Sequence, residues 1–214
     1  LGERARILRF RSGDAGWLDA LEHTISENAV AISAARQETL WRLNDALASP
    51  LGNLFPPAII ELAGTVESWL GRFPALEVEE RLCGAFARAR PEDAEKGGSV
   101  VGPHRTDLMV RHVGKDIPAE HCSTGEQKML LISIVLAHAQ AQSELFGQTP
   151  LILLDEVMAH LDAAHRSALA EALCSLGGQA WMTGISDELF SDFGPRAQYL
   201  SISDGTVRNL SVRN

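Results

Sequence analysis

Two adjacent acidic residues follow a short aliphatic run in the second half of the chain. Residues 151–154, Leu-Ile-Leu-Leu, are too few for a helix and too uniformly apolar for a half-exposed strand, so they predict a buried parallel strand. Ligands bind at the carboxyl ends of such strands, where Asp155 and Glu156 would lie. Because side chains alternate along a strand, Asp155 can hold Mg²⁺ through water while Glu156 orients an attacking water. The plainer alternative is a strand that ends in an acidic turn.

A second group of candidate residues begins a helix predicted from Thr124 to Leu145. Ser123 and Glu126 have the spacing of a capping box, in which each side chain satisfies a backbone N–H of the other residue. Gly125 permits close approach of a phosphate, and the N–H groups of a helix start attract anions. The segment therefore caps the helix, and either does only that or also binds a phosphate.

Asp162 is the third candidate, six residues beyond Glu156 in the segment His160-Leu161-Asp162. An aspartate directly before Ala163-Ala164 predicts an N-cap of the next helix, from Ala163 to Leu176. By itself this short segment gives no evidence of a functional loop, because such an aspartate is more often an N-cap, although Asp162 could have both roles.

The elements around these residues predict an α/β fold. A hairpin over residues 108–121 has a predicted two-residue turn at Gly114-Lys115, and a further strand is predicted at residues 179–183. Another hairpin is predicted around residues 203–206, Ser-Asp-Gly-Thr. Strands that alternate with helices in this way indicate a mainly parallel sheet.

The first half of the chain is predicted to be mostly helical. Residues 17–48 lack proline and glycine and form one long amphipathic helix, and residues 58–62 form an edge strand. A second helix covers residues 77–89 and is predicted to restart or break at Pro91. Gly97-Gly98 marks the boundary to the next part of the chain.

Composition restricts the class of protein. The 214 residues are 45% apolar with a net charge of −9, so a nucleic acid would have to be bound by a local cluster of basic residues. Three widely spaced cysteines, Cys83, Cys122 and Cys174, indicate free thiols in a cytoplasmic protein rather than disulfides or a zinc site. No apolar run approaches the length of a membrane span, and no membrane association is expected.

Taken in order along the chain, these motifs resemble a known family. Residues 123–128 are similar to the signature motif of ABC-type ATPases. Asp155-Glu156 resembles a Walker B motif followed by its catalytic glutamate, and residues 160–162 resemble the D-loop of the same ATPases. Together with residues 102–107, Gly-Pro-His-Arg-Thr-Asp, they resemble the C-terminal half of the RecF family. The resemblance covers nearly the whole chain and is strongest from Val101 to Asp162.

The resemblance implies a C-terminal portion of an ABC ATPase-like fold, with a helical arm (lobe II) over residues 1–97. Residues 98–146 would hold the hairpin and signature helix, and residues 147–214 the Walker B strand and the remaining sheet. The resemblance also implies a cytoplasmic bacterial protein that binds ATP and Mg²⁺ and forms an ATP-dependent homodimer. Such a protein would be a weak DNA-dependent ATPase. It would work with RecO and RecR at DNA gaps or junctions in recombinational repair and replication restart.

The resemblance further assigns roles to single residues. Glu156 would be catalytic and Asp155 would hold Mg²⁺ through water in one subunit, whereas Ser123, Gly125, Gln127 and Asp162 would contact the ATP bound by a partner subunit.

The sequence departs from the family pattern in two places. It has no Gly-x-x-x-x-Gly-Lys-Ser/Thr loop to hold phosphates, since Gly114-Lys115 has Met109 and Asp116 at the flanking positions. No histidine follows residues 181–183, where many ABC ATPases carry one. We therefore expect a fragment that does not bind ATP by itself. Two alternatives stay open: a non-catalytic DNA- or protein-binding scaffold, and an SMC-type head, which the short helical arm disfavours.

Basic residues give only weak predictions of a DNA site. Within residues 102–105, His104 could reach a nucleotide or form an internal hydrogen bond, and Arg105 could pair with a phosphate or a carboxylate. The interleaved acidic residues favour an ordinary solvated surface for the other arginines. The candidates for DNA contact are Arg4, Arg6, Arg9, Arg11, Arg81, Arg88 and Arg90.

Overall fold

The computed structural model describes residues 1–10, 15–49 and 54–210. It divides into two compact units, the first comprising Leu1–Trp41 and Ile60–Met109 and the second Arg42–Ile59 and Val110–Asn214. The predicted α/β fold class is confirmed. The three-part division at residues 97/98 and 146/147 stays a prediction.

Six α-helices and seven strands are present in the described residues. The helices are α1 (Gly2–Phe10), α2 (Ala15–Ala48), α3 (Thr65–Leu70), α4 (Ala75–Lys96), α5 (Thr124–Phe146) and α6 (Ala163–Leu176). The strands are β1 (Ala58–Ala63), β2 (Asp107–His112), β3 (Ile117–Pro118), β4 (Ile152–Leu154), β5 (Ala180–Met182), β6 (Tyr199–Ser203) and β7 (Thr206–Leu210). They form three sheets, of order β1-β2-β3, β4-β5 and β6-β7.

The first unit is helical, as predicted. Its core is formed where α2, α3 and α4 pack, and the three aromatic and aliphatic side chains of α4 in this core are completely buried. The predicted single helix over residues 17–48 is confirmed by α2, and the left-handed conformation of Gly97 ends α4. The buried residues of this core are Ala29, Val30, Val66, Val78, Leu82 and Phe86.

The predicted break at Pro91 is wrong, because α4 continues through it to Lys96. Proline removes one helical hydrogen bond and crowds the preceding turn, which by itself costs about 3 kcal/mol. On either side of the proline, however, Arg90 pairs with Glu22 and buried Asp93 pairs with Arg4. These tertiary bonds fix the last turns of α4 despite the proline.

The second unit places α5 and α6 against the parallel pair β4-β5. Its core includes Ile132 and Leu136 from α5, Ile152 from β4 and Leu169 from α6. The parallel pairing predicted for residues 151–154 is confirmed, with Leu153 opposite Trp181. The prediction that this strand is buried is wrong for one of its faces.

That face of the strand pair is open. Leu153 and Trp181 are 71% and 52% exposed, whereas Ile152 on the opposite face of β4 is buried. Within the part of the chain that the structure describes, no element covers the Leu153 side. The continuous aliphatic run therefore correctly predicted a strand. Such a run is typical of a strand covered on both faces, but only one face is covered here.

The two hairpins differ in how well they match the sequence pattern. Between β2 and β3, His112 pairs with Ile117, so the connection is four residues long rather than two, and β3 has only two residues. Asp116 takes a left-handed conformation in this loop. The predicted β6–β7 hairpin is confirmed, and its turn has two residues, Asp204 and Gly205, both at positive φ.

Helix α5 is, among the described residues, the one helix long and apolar enough to cross a membrane. This corrects the expectation that no apolar run reaches that length. Leu130, Ile132 and Leu136 of α5 are buried in the protein. An apolar helix in the core of a folded unit meets the same criteria, so α5 gives only weak support for a membrane span.

Candidate functional site

The acidic pair lies at the carboxyl end of β4, as predicted. The parallel ladder extends one residue past β5, because the Thr183 N–H donates to the Leu154 carbonyl at 3.1 Å. The Thr183 hydroxyl donates to Asp155 Oδ1 at 2.5 Å and accepts the Glu156 N–H at 2.9 Å. Asp155 and Glu156 are both exposed at this edge. One threonine hydroxyl thus connects the two acidic residues.

Strand alternation does not set the directions of Asp155 and Glu156, because both residues lie beyond the end of β4. Strand β4 ends at Leu154, and Glu156 has φ 49° and ψ 18°, a left-handed conformation that starts the 3₁₀ turn Val157–His160. Left-handed backbone is uncommon for a residue with a Cβ atom and marks a constrained position. The sequence argument from a continuing strand was therefore wrong on this point.

Ser123 caps α5 in the predicted manner. Its hydroxyl oxygen accepts the Glu126 N–H at 3.4 Å, and its own N–H donates to Glu126 Oε2 at 2.9 Å, which completes the capping box. The Ser123 hydroxyl also donates to that carboxylate oxygen, at 3.0 Å. The prediction of a capped helix start is confirmed.

Lys115, from the β2–β3 connection, adds a positive charge to this helix start by pairing with Glu126. The Lys115 hydrogen bond, followed by those from the backbone and hydroxyl of Ser123, lowers the pKa of Glu126 to about 2. The same pairing raises the pKa of Lys115. These bonds favour the ionised form of Glu126, which is the form that accepts the hydrogen bonds of the cap.

The other two residues of the signature segment differ in their surroundings. Gly125 is exposed, and apart from its chain neighbours and the adjacent helix backbone no atom lies within 4 Å of the point where a Cβ would be. Gln127 instead donates from its amide to the Ala119 carbonyl at 2.9 Å. The helix start is thus open at Gly125 and fixed to the preceding 3₁₀ turn at Gln127.

Asp162 is the N-cap of α6, as predicted. Its Oδ1 accepts the backbone N–H of His165 at 2.9 Å and lies 2.9 Å from the His165 ring nitrogen Nδ1. The backbone bond, more than the ring contact, lowers the pKa of Asp162. Since Leu161 is buried directly before it, the D-loop segment is anchored in the core of the second unit.

These residues form three separate hydrogen-bonded groups within the second unit. The groups are the acidic pair with Thr183, the cap with Lys115, and Asp162 with His165. In residues 1–10, 15–49 and 54–210, no three His, Cys, Asp or Glu side chains converge to form a metal site. The exposed Asp155 carboxylate at the strand end fits Mg²⁺, which proteins commonly hold through one or two carboxylates, waters and substrate phosphates.

Sequence analysis missed Thr183 and Lys115. A register argument could have found Thr183, because parallel strands in which Leu154 pairs with Met182 bring residue 183 beside residue 155. The sequence pattern places Lys115 in a hairpin turn and in an incomplete phosphate loop, and its distance of 11 residues from Glu126 gives no local signal of their pairing.

In the first unit, His104 and Arg105 support a loop. His104 Nε2 lies 2.8 Å from the Ser99 carbonyl, which also accepts the Arg105 Nε–H at 3.1 Å. Gly102 has φ 126°, a conformation that L side chains rarely adopt. Of the two roles weighed for His104, the structure shows the internal hydrogen bond.

Three of the predicted arginine candidates for DNA contact pair with acidic residues of the chain itself. Arg4 is 1% exposed and bound to Glu22 and Asp93, so its assignment to a DNA-binding surface is wrong. Arg90 also pairs with Glu22. Arg81 pairs with a glutamate one turn earlier on α4. Arg11 lies outside the described residues.

Comparison with known proteins identifies the family. No family model matches the chain. The chain is 48% identical over 206 residues to the DNA replication and repair protein RecF of Mesorhizobium japonicum, covering 95% of this chain and 54% of that protein. It is 43% identical over 205 residues to RecF of Rhizobium meliloti, with the same coverage. The chain thus spans about half the length of the curated relatives it matches.

Solved structures agree in fold. A structure described as the recombination mediator protein RecF-ATPrS in the RecFOR pathway superposes with a TM-score of 0.80 at 21% identity, covering 99% of this chain and 56% of that one. A second, described as RecF-ATP, gives 0.76 at 22% identity with the same coverage. With the sequence identities above, we conclude that the chain belongs to the RecF family of DNA replication and repair proteins, of which it forms the C-terminal part.

Proposed function

We propose that the chain supplies two parts of a composite ATPase site in an ATP-dependent, DNA-binding protein of recombinational repair and replication restart. Asp155 and Glu156 act on the nucleotide of their own subunit. The signature segment and D-loop act on the nucleotide of a partner subunit, through Ser123, Gly125, Gln127 and Asp162. The observation that carries the proposal is the exposed acidic pair at the carboxyl end of β4, fixed by Thr183.

Each acidic residue has a distinct role in this proposal. Asp155 has one carboxylate oxygen bonded to Thr183, and its ionised form can hold Mg²⁺ through water. Mg²⁺, when bound with ATP, neutralises charge on the phosphates. Glu156 lies one residue further in the left-handed turn, and its exposed carboxylate orients the attacking water and accepts its proton.

The helix start has the features of a phosphate contact. The capping box occupies the Glu126 N–H, whereas the N–H groups of Thr124 and Gly125 belong to the first turn, which has no intrahelical acceptors. The open space at Gly125 lets a phosphate approach the backbone closely. We place this contact on the ATP of a partner subunit, by resemblance to ABC-type ATPases.

The rest of the proposed protein complements what this chain contains. The relatives are about twice as long, and the sequence here has no phosphate-binding loop, so we place that loop on the remaining part. We propose that the same part covers the open face at Leu153 and Trp181. The chain alone then holds no ATP. We further propose that the whole protein is cytoplasmic and hydrolyses ATP weakly in a DNA-dependent manner. Its ligands would be DNA gaps or junctions, and its partners RecO and RecR.

The variant Glu156→Gln tests this function in a full-length protein containing the chain. Gln keeps the size of the side chain but cannot accept a proton, so ATP should still drive dimerisation while turnover falls by about 100-fold or more. Steady-state hydrolysis and sedimentation with ATP measure the two effects. Glu188→Gln changes another exposed glutamate and should leave both unchanged. Hydrolysis that persists in Glu156→Gln would refute the catalytic role and favour a non-catalytic scaffold.

A further inference from the structure

Thr183 has the only hydroxyl that bonds to both acidic residues within the described part of the chain. It follows β5 directly, where the ladder bond from its N–H to Leu154 fixes its backbone. Its Oγ1 lies 2.5 Å from Asp155 Oδ1 and 2.9 Å from the Glu156 nitrogen. The three residues thus form a closed arrangement across the ends of two neighbouring strands.

The position of the hydroxyl proton follows from this geometry. The Glu156 N–H can only donate, so the Thr183 oxygen accepts from it, and the hydroxyl proton is free to point at the Asp155 carboxylate, which accepts when ionised. The bond to Asp155 occupies Oδ1 and sets the plane of the carboxylate. A side chain without a hydroxyl would lose both bonds at once.

The bond to Glu156 also supports an uncommon backbone conformation. Glu156 has φ 49°, and the hydrogen bond from its N–H to Thr183 ties this left-handed residue to the neighbouring strand. Gly184, directly after Thr183, lies close to the Phe190 ring. A Cβ on Gly184 would lie 2.7 Å from the Phe190 ring, so this glycine lets the backbone pass the ring.

We propose that Thr183 is a positioning residue of the ATPase site, whose hydroxyl holds the Asp155 carboxylate and the Glu156 backbone in one fixed arrangement. The inference rests on the proposed function and extends it to a residue outside the motifs. Thr183 touches neither nucleotide nor attacking water in this account. It acts through Asp155, by fixing how the carboxylate faces a hydrated cation, and through Glu156, by fixing where its side chain begins.

The test compares Thr183→Val, which keeps the shape of the side chain without the hydroxyl, with Thr183→Ser, which keeps the hydroxyl. In the full-length protein, Thr183→Val should lower kcat by about 10–100-fold and raise the Mg²⁺ concentration for half-maximal activity, with the KM for ATP little changed. Thr183→Ser should restore kcat to within roughly threefold of the wild type. A general loss of folding would not produce this separation of kcat, KM and Mg²⁺ dependence.

A second measurement does not depend on turnover. In the nucleotide-free protein, hydrogen exchange of the Glu156 backbone N–H should be about tenfold faster or more in Thr183→Val than in the wild type, and close to wild type in Thr183→Ser. If Thr183→Val does not fold, Thr183→Ala replaces it, since alanine removes the same hydroxyl without adding volume.

Two results would overturn the inference. One is a folded Thr183→Val or Thr183→Ala protein with wild-type kcat, Mg²⁺ dependence and Glu156 exchange. The other is a stable Thr183→Ser protein that is as impaired as the valine variant, because the hydroxyl would then not be the active feature. Glu156→Gln separates the two proposals: if it stops turnover while Thr183→Val does not, only the role of Thr183 fails. If Glu156→Gln also retains turnover, the proposed function fails.

Discussion

The two units use charged residues in opposite ways. In the first unit Arg4, Glu22 and Asp93 are buried, and Arg4 is bonded to both acidic residues. In the second unit Asp155 and Glu156 lie exposed beside an apolar core. Buried charges that satisfy each other are not available to a ligand. The two exposed acidic residues are available, and the Thr183 hydroxyl holds one by its carboxylate and the other by its backbone N–H. The buried charges of the first unit thus stabilise the fold, whereas the exposed acidic residues of the second unit can take part in chemistry.

The buried group of the first unit is almost fully satisfied. Arg4 donates from Nε to Glu22 at 2.8 Å, from Nη1 to Asp93 at 2.5 Å and from Nη2 to the Phe86 carbonyl at 2.8 Å. Asp93 also accepts the Val100 N–H at 2.8 Å. One arginine from α1 thereby ties α2 and α4 together. The price of such an arrangement is that removing one partner leaves a buried charge unpaired.

The largest predicted effect is therefore on the stability of the first unit. Arg4→Met should lower the free energy of unfolding by about 3–5 kcal/mol, because Glu22 and Asp93 would remain buried without their shared partner. Urea unfolding followed by circular dichroism measures the change. Arg6→Met on the exposed side of α1 is the matched control and should shift it by no more than about 0.5 kcal/mol. Equal effects of the two variants would contradict the assignment of Arg4 to the fold.

The next largest predicted effect is on the stability of the second unit, and it distinguishes the buried core from the open face of β4. Leu169→Ala removes a side chain that is 1% exposed in the core and should cost about 2–5 kcal/mol in the isolated chain. Leu153→Ala makes the same change at a position that is 71% exposed and should cost less than about 0.5 kcal/mol. In the full-length protein we expect Leu153→Ala to become clearly destabilising. If it stays neutral there, the proposal that the rest of the protein covers this face is wrong.

The smallest effect concerns the exposed cap of α5. Lys115→Met removes the main cause of the low pKa of Glu126, which should rise from about 2 toward its ordinary value of 4.5. Because the pKa is lowered by folding, the stabilisation from this carboxylate is complete above about pH 4.5 and is lost as the pH falls toward 2. An NMR titration of Glu126 measures the shift. Lys96→Met, which breaks an exposed pair with Glu92 in the first unit, should leave the Glu126 titration unchanged.

How well the sequence predicted each feature depended on how local its cause is. The capping box at Ser123 and the turn at Asp204-Gly205 are determined by residues within a few positions, and both predictions are confirmed. The same holds for the Asp162 cap. Short-range hydrogen bonds and backbone preferences can be inferred from neighbouring residues alone.

Features with distant causes were predicted wrongly or missed. The continuation of α4 through Pro91 depends on partners such as Arg4, which lies 89 residues from Asp93 in the sequence. The bond between Thr183 and Asp155 spans 28 residues and needs the strand register. The exposure of Leu153 depends on which elements pack against the sheet, which its aliphatic neighbours do not determine. Tertiary packing determines these features, and tertiary packing cannot be inferred from the local sequence pattern.

Mixing two inactive variants of the full-length protein tests the central claim, that the signature segment and the acidic pair serve different nucleotides. Ser123→Arg disables the contact to the partner's ATP, and Glu156→Gln disables hydrolysis of the subunit's own ATP. In a mixed dimer one site combines an intact Glu156 with an intact Ser123. Random pairing should therefore restore roughly a quarter of wild-type ATP turnover, since half of the dimers are mixed and each has one intact site. Mixed dimers that form but recover no hydrolysis would contradict the composite site.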